Sequence, residues 1–182
     1  MFELPECVTL ANQMNRTLAG KSIQQGQLGN RPGKFLWHNC SHTEFAALTE
    51  GRTVGNAYAR GRWLFVPLTP GYVLVFGECG GRILYHEPGS RSPTKYHLCL
   101  TFGDGSFLTA MTQMWGAMEL YEAGAEMERE YIKDMRVTPV DPDFTLTYFS
   151  DLVGEVSAEK KCSAKGLLTQ DQLIPGLGNA SA

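Results

Sequence analysis

Apolar residues near the start of the chain recur at the period of an α-helix. From Pro5 to about Leu18 they follow one another at spacings of three and four, as Leu4, Cys7, Val8, Leu10, Ala11, Met14 and Leu18. Such spacing places them on one face of a helix, and Gly20 is expected to end it. The pattern predicts an amphipathic helix that packs on a core.

A second, shorter helix is indicated by the segment SHTEFAAL. Ser41 is a preferred N-cap residue, and Glu44 stands three residues later, as in a capping box. Gly51 follows at the expected end.

Short apolar runs rich in β-branched and aromatic residues occupy most of residues 52–115. They are RTVGNAYA, RWLFVPL, YVLVFG, RILYHE, YHLCLTF and SFLTAMTQMW, with turn-like TPG, ECGG and GDG among the breaks. Because no helical crossover separates these runs, neighbouring strands are expected to pair antiparallel. The predicted fold class is α+β and β-rich, with a leading helix and an antiparallel sandwich or flattened barrel.

The pattern changes again after the strands. The charged segment EAGAEMEREYIKDMR is typical of a solvated helix or a linker. After the turn VTPVDPD, the segments FTLTYFSDLV and SAKGLLTQDQLI predict two helices, and PGLGNASA is typical of a helix-to-helix turn whose second helix is missing. We therefore predict a sandwich domain over 1–136 and the start of a helical domain over 137–182.

Composition narrows the class of protein. Of 182 residues, 43% are hydrophobic and 19% charged, and the formal net charge is -3. This balance argues against a strongly basic nucleic-acid binder, so any such binding must depend on local patches. The chain shows no signal-peptide pattern, and its longest apolar run is broken by Pro67 and Pro70. We expect a cytoplasmic monomer that does not bind membranes, with reduced thiols.

Basic residues form three loose groups that could follow a phosphate backbone if the fold brought them to one face. The groups are Arg52, Arg60 and Arg62; Arg82, Arg91 and Lys95; and Lys160, Lys161 and Lys165. Gly176 and Gly178, near Asn179, could offer backbone N–H groups to a phosphate at a tight helix junction.

The segment HNCSH places His38, Cys40 and His42 at alternate positions. On an extended chain all three would face one side, and all are zinc-ligand types. No fourth ligand stands at a recognised spacing, so a turn that happens to contain these residues is the other interpretation.

The opening MFELPE has two interpretations. Pro5 and the acidic Glu3 and Glu6 suit the first turn of a helix. The same carboxylates also lie beside the α-amine, whose reference pKa of about 8 leaves a useful neutral fraction at pH 7 for attack on a sugar carbon.

Taken together, the opening and closing motifs resemble those of the formamidopyrimidine-DNA glycosylase and endonuclease VIII family of base-excision repair enzymes. That family begins M-P-E-L-P-E, and its pattern of a Lys, a short helix and L-I-x-G-L-G-N is matched by Lys165 to Leu168 and by LIPGLGN, Leu173 to Asn179. EFAALTEGRTVGNAYARGRWLF resembles the family's helix, glycine and basic hairpin, and FTLTYF its next helix.

The resemblance implies a β-sandwich, then a helix–two-turn–helix domain, truncated here, and a zinc finger that would lie beyond Ala182. No cofactor is expected in the chain itself. In such enzymes an N-terminal proline amine attacks C1′ of a damaged nucleotide, a Schiff base forms, and elimination cuts the strand. By this resemblance Met1 or a processed Phe2 supplies the amine, Glu3 protonates the sugar ring, and Glu6 holds the helix start. Damaged or abasic duplex DNA is the implied partner, contacted by Arg62, Lys165 and Asn179.

Several positions depart from the family pattern. Phe2 replaces the proline, and its size should discourage removal of Met1, which would displace the amine by about 3.8 Å. Arg62 stands in place of a lysine, which preserves charge but not a titratable amine. Phe76 takes the place of a histidine, and Cys79 that of a methionine that fills the gap left by the flipped nucleotide.

The segment TQMWGAM departs further. Gln113, Met114 and Trp115 fall where the family carries two arginines and a phenylalanine that contact the opposite base. Trp115 keeps an aromatic wedge, whereas the charges are gone. Three hypotheses remain open: an active glycosylase with lyase activity, a catalytically silent DNA-binding or partner-binding relative whose old site is filled by Phe2 and Phe76, and an unrelated enzyme or metal protein that uses HNCSH.

Overall fold

A computed structural model describes residues 1–29, 35–159, 163–170 and 172–181. Lys160 and Lys161, from the third basic group, lie outside these ranges.

The first helix, α1, spans Leu4–Thr17, close to the predicted bounds. A capping box joins Glu3 and Glu6 at its start, and Leu4, Cys7, Ala11 and Met14 are its buried residues. Helix α2 spans His42–Thr49, and the predicted Ser41–Glu44 capping box is present. In α2 the Ser41 side chain accepts from the Glu44 amide, whereas in α1 the Glu6 side chain accepts from the Glu3 amide.

The described part of the chain forms ten strands in two sheets. In chain order they are β1 (Ile23–Leu28), β2 (Phe35–Trp37), β3 (Thr53–Val54), β4 (Tyr58–Arg60), β5 (Trp63–Thr69), β6 (Tyr72–Gly77), β7 (Gly81–His86), β8 (Leu98–Phe102), β9 (Phe107–Thr112) and β10 (Trp115–Glu122). One sheet has the order β1-β8-β9-β7, and the other the order β2-β10-β6-β5-β3, with β4 also pairing with β5. The predicted β-rich α+β class with a leading helix is confirmed.

Strand direction corrects one detail of the prediction. The pairs are antiparallel except for β2, which runs parallel to β10 with Phe35 opposite Trp115 and Trp37 opposite Ala117. The expectation of antiparallel pairing rested on strands that follow one another closely, and β2 and β10 are far apart in sequence. Strands β1 and β2 were not predicted, because IQQGQL and FLW are too polar or too short to show alternation.

The core lies between the two sheets. Its fully buried aromatic members are Phe45, Phe76 and Phe102, and α1 contributes Ala11 and Met14. A tightly packed core of this kind holds the loops at one end of the sandwich in fixed positions.

The outer face of the larger sheet is also covered. The segment predicted as a solvated helix or linker forms a short 3-10 helix, Ala125–Glu128, and the short helix α3, Glu130–Lys133. Ile132 is 1% exposed and packs in a second cluster with Trp63 and Phe65. This segment therefore covers part of the outer face of the larger sheet and is not fully solvated.

The C-terminal part contains α4, Leu146–Glu159, and α5, Ala164–Thr169, where two helices were predicted. They form a separate cluster in which Leu152, Val156 and Ile174 are buried. The domain boundary between 136 and 137 stays a prediction. A turn after α5 reaches the start of α1, where the Leu4 amide donates to the Gly176 carbonyl at 2.8 Å.

Candidate functional site

A cleft of about 420 Å³ lies where the start of the chain meets the β6–β7 and β9–β10 turns. Its lining residues are Met1, Phe2, Glu6, Glu78, Gly80, Gly81, Gln113, Met114 and Trp115. The fold thus brings together five of the predicted site residues from opposite ends of the sandwich sequence.

Backbone contacts hold the start of the chain in this cleft. The Phe2 amide donates to the Cys79 carbonyl at 2.7 Å. Gly80 lies so close that a Cβ atom there would stand 2.4 Å from the Met1 nitrogen. Only a glycine leaves room for the α-amine at this point. The amine is therefore positioned by neighbouring backbone, and the Phe2 ring packs against the core.

The Glu3 carboxylate faces the C-terminal turn. Its Oε1 accepts from the Ala180 amide at 3.0 Å, and a Cβ on Gly178 would stand 2.2 Å from the same oxygen. Partial burial raises the pKa of Glu3, but hydrogen bonds from Ser181, Ala180 and Gly178 outweigh it and hold the pKa below its ordinary value. Glu3 is thus ionised at neutral pH and does not line the cleft.

Of the two carboxylates in MFELPE, Glu6 is the one that lines the cleft. Its Oε2 accepts from the Glu3 amide at 2.9 Å, which completes the capping box of α1. The same side chain lines the cleft beside Met1. Glu6 therefore serves the helix start and the cleft at once, so the two interpretations of MFELPE describe one arrangement.

Arg62 joins the two ends of the chain. Its Nη2 donates to the Leu177 carbonyl and its Nη1 to the Met1 Sδ, each at 3.2 Å, whereas its Nε is buried without a hydrogen-bond partner. Met135 and Pro175 are among its neighbours in an adjoining cavity of about 280 Å³. Arg62 braces the start of the chain against the C-terminal turn, and phosphate contact by this residue stays a prediction.

Cys79 requires a correction. It is 4% exposed, its Sγ donates to the Ala117 carbonyl at 3.5 Å, and burial raises its pKa to about 12. Its side chain therefore packs in the core and cannot fill a gap in DNA. The neighbouring Glu78, with a φ of 49°, lines the cleft instead. Sequence reasoning missed Glu78, although ECGG was marked as a turn, where an unusual backbone turns side chains outward.

Phe76 also lies away from the cleft. It is 2% exposed, pairs with Leu64 and Met118 across the sheet, and belongs to the core between the sheets. Phe76 is not among the lining residues of the cleft, and the hypothesis that Phe2 and Phe76 together fill an old site stays a prediction.

The opposite wall is formed by the β9–β10 turn. Gln113 and Met114 are exposed, and the Gln113 amide donates to the Gly80 carbonyl at 2.7 Å. Trp115 is 45% exposed and stacks on Phe35 and Trp37, with ring centroids 4.5 and 5.5 Å apart. Trp115 is thus one of three stacked aromatic rings, and its role as a wedge stays a prediction. Phe35 and Trp37 were missed because β2 was not predicted.

Two predicted DNA contacts lie outside the lining of the cleft. Lys165 is exposed in the first turn of α5, and Asn179 is exposed in the C-terminal turn, beside the Ala180 amide that binds Glu3. Both DNA contacts remain predictions.

The HNCSH segment adopts another role. His38 Nδ1 lies 2.9 Å from the Met118 carbonyl oxygen, whereas His42 begins α2. Within the described ranges, no group of three His, Cys, Asp or Glu side chains is placed to hold a metal ion. Over the same residues, no helix is long and apolar enough to cross a membrane.

The fold of this chain is shared with proteins whose structures have been solved in complex with DNA. The fold matches that of MutM in a complex with carbocyclic 8-oxo-G containing DNA, with a TM-score of 0.79 and 20% identity over 97% of this chain and 65% of that one. It also matches Lactococcus lactis formamidopyrimidine-DNA glycosylase bound to AP-site DNA, with a TM-score of 0.74 and 21% identity over 97% and 65% of the two chains.

Sequence comparison makes the assignment. The model of the formamidopyrimidine-DNA glycosylase N-terminal domain matches residues 1–118, so the chain belongs to this family. A formamidopyrimidine-DNA glycosylase of Salinispora arenicola is 29% identical over 188 residues, and one of Shouchella clausii is 28% identical over 181. These matches cover 100% and 98% of this chain, which spans 62% and 63% of the two relatives. The family resemblance is confirmed.

Proposed function

We propose that this is a DNA-repair protein of the formamidopyrimidine-DNA glycosylase type that binds damaged or abasic duplex DNA. In this proposal its α-amine retains AP-lyase chemistry, whereas base excision is impaired. The observation that carries the proposal is the Met1 nitrogen, held against Gly80 in a cleft whose other wall presents Trp115.

The proposed reaction uses protein groups alone. The neutral Met1 amine attacks the C1′ aldehyde of an open abasic sugar, and water leaves to give a protonated imine. Loss of a C2′ proton then breaks the C3′–O3′ bond, so the phosphate departs and the strand is cut. The carboxylate of Glu6 lines the same cleft and is the candidate acceptor of that proton. No cofactor within this chain takes part in the proposal.

Base excision requires a well-placed amine and a proton donor at the sugar ring, and this site provides neither in the form that the family pattern has. Phe2 replaces the proline of the family pattern, so the amine is primary and displaced by about one residue, roughly 3.8 Å. The family role of Glu3 is to protonate the sugar ring, but here its Oε1 accepts from the Ala180 amide and Glu3 is not among the lining residues of the cleft. An abasic sugar has already lost its base, so it needs no such proton donor.

Borohydride trapping tests this proposal. We expect the chain to form a covalent adduct with a duplex that contains one abasic site, and chemical acetylation of the α-amine to abolish it. Intact-mass measurement first establishes whether Met1 is present. Glu44→Gln is the matched control for Glu6→Gln, because both residues complete capping boxes and Glu44 lies outside the cleft. Equal trapping by the acetylated chain would overturn the proposed amine role.

A catalytically silent DNA-binding or partner-binding relative is the second candidate. The observation that favours it is the turn opposite the amine, which presents uncharged Gln113 and Met114 where the family pattern carries two arginines. Salt-sensitive binding to abasic duplex without any trapped adduct would support this candidate. The cytoplasmic location and monomeric state stay predictions, and sedimentation of the purified chain measures the latter.

A further inference from the structure

A second cavity, of about 310 Å³, opens beside the cleft on the outer face of the larger sheet. It contains all three tryptophans of the chain, and its principal side chains are Trp37, Trp63, Trp115, Tyr131, Glu119 and Arg129. Its volume is at the lower end of small-molecule sites, which begin near ~300 Å³.

The aromatic walls are unusually exposed. Trp37 is 48% exposed, Trp115 45% and Tyr131 67%, whereas Trp63 at the back is only 4% exposed. Trp37 and Trp115 stack with an angle of 19° between their planes. Large aromatic faces gathered around a cavity are typical of sites that bind an aromatic or apolar ligand.

Two of the charged side chains that line the cavity, Arg129 and Glu119, compensate each other. Arg129 Nε donates to Glu119 Oε2 at 2.6 Å, and the Tyr121 hydroxyl donates to the same oxygen at 3.1 Å. The Arg129 guanidinium also lies over the Trp63 ring, 4.4 Å from its centroid. The Arg129 guanidinium thus occupies the place that a cationic ligand would take between the Trp63 ring and the Glu119 carboxylate. Glu78 also lines the cavity, so its aromatic walls favour a flat ring over an anionic ligand.

The cavity adjoins the cleft. Trp115 and Glu78 line both, so a ligand in the cavity would be a neighbour of a nucleotide bound at the Met1 amine. The turn between them presents uncharged Gln113 and Met114. Without charged side chains on this turn, the aromatic rings of the cavity can hold a neighbouring base by stacking. Stacking does not depend on which base is present, because every base has a π-face.

We propose that this cavity, with Trp37 as its outer platform, binds an unstacked nucleobase next to the abasic or damaged nucleotide. The proposal rests on the proposed function. It adds a base subsite that binds any flat nucleobase by stacking, without preference for sequence. Trp37 is a binding residue in this proposal and takes no part in the chemistry.

Trp37→Ala tests the subsite, with Tyr58→Ala as the control. Tyr58 is a comparably exposed aromatic residue, 40% exposed and stacked on Phe65, but it does not line the cavity. Binding is measured by anisotropy with labelled abasic duplexes carrying each of the four opposite bases and with a short single-stranded oligothymidine. We expect Trp37→Ala to weaken binding to all of these probes about tenfold, and Tyr58→Ala to leave it unchanged.

Further measurements separate stacking from a folding defect and from charge. Trp37→Phe should restore most of the affinity, and the salt dependence of binding should be the same in wild type and Trp37→Ala because no phosphate contact is lost. Unchanged binding by Trp37→Ala would overturn the subsite, as would displacement of oligothymidine by millimolar tetramethylammonium at constant ionic strength. Equal affinity for abasic and intact duplex would instead overturn the proposed function.

Discussion

The two walls of the cleft are built in different ways. The wall at the start of the chain is fixed by backbone contacts, through Phe2 to Cys79 and Leu4 to Gly176, and by the capping box of Glu3 and Glu6. The opposite wall presents the exposed side chains of Gln113, Met114 and Trp115. The placement of the Met1 amine therefore depends on packed backbone. The exposed side chains of the opposite wall, in contrast, are expected to accept substitution without loss of the fold.

The largest expected effect is on the backbone-built wall. Gly176→Ala should lower the free energy of unfolding by about 3 kcal/mol, because the position has a φ of 91° and a new Cβ would stand 2.6 Å from the Leu4 Cβ. Urea unfolding measures the change.

Gly20→Ala is the matched control for that substitution. Gly20 has a φ of 83°, and nothing lies within 4 Å of an added Cβ. The alanine there would have the backbone strain of a positive φ without a steric clash, so the free energy of unfolding should fall by only about 1 kcal/mol. Equal losses in the two variants would show that the C-terminal turn is not packed on α1 as described.

The displayed wall should tolerate change better. Trp115→Ala should cost about 1 to 2 kcal/mol in the free energy of unfolding, because it removes stacking on Phe35 and Trp37. Met114→Ala, at a position 68% exposed, should change stability by less than about 0.5 kcal/mol. Thermal unfolding compares them. A larger loss in Met114→Ala than in Trp115→Ala would contradict the separate roles of the two side chains.

The smallest expected effect is the pH dependence that Glu3 contributes. Its folded pKa lies below the ordinary value of 4.5, so its stabilisation is fully present above that pH and is lost as the pH falls through the folded pKa. Glu3→Gln should therefore lose less stability than wild type on acidification below pH 4.5, as followed by urea midpoints.

Glu44→Gln is the control for Glu3→Gln. The pKa of Glu44 is also lowered, by hydrogen bonds from Ser41 at the start of α2. Both variants should flatten the acid side of the stability profile, but only Glu3→Gln should alter the accessibility of the C-terminal turn to protease. Identical proteolysis of the two variants would separate Glu3 from that turn.

Local patterns in the sequence were sufficient for much of the fold. The period of three and four predicted α1, the Ser41–Glu44 pair predicted the start of α2, and the runs rich in β-branched and aromatic residues predicted the central strands. These signals are reliable because capping and amphipathic packing act between residues close in sequence. Strand β2 gave no such signal, since its pairing with β10 joins residues about eighty positions apart.

The site divides in the same way. The sequence by itself predicted that an α-amine, two nearby carboxylates and an aromatic residue belong to one site, because those residues stand in motifs of the family pattern. The structure brings Met1, Glu6 and Trp115 to one cleft. Only the tertiary structure decided which side chains face the cleft. Within one turn, Cys79 points into the core and Glu78 outward. Neighbouring side chains are sorted to opposite sides by backbone conformation and sheet packing, which depend on distant segments of the chain.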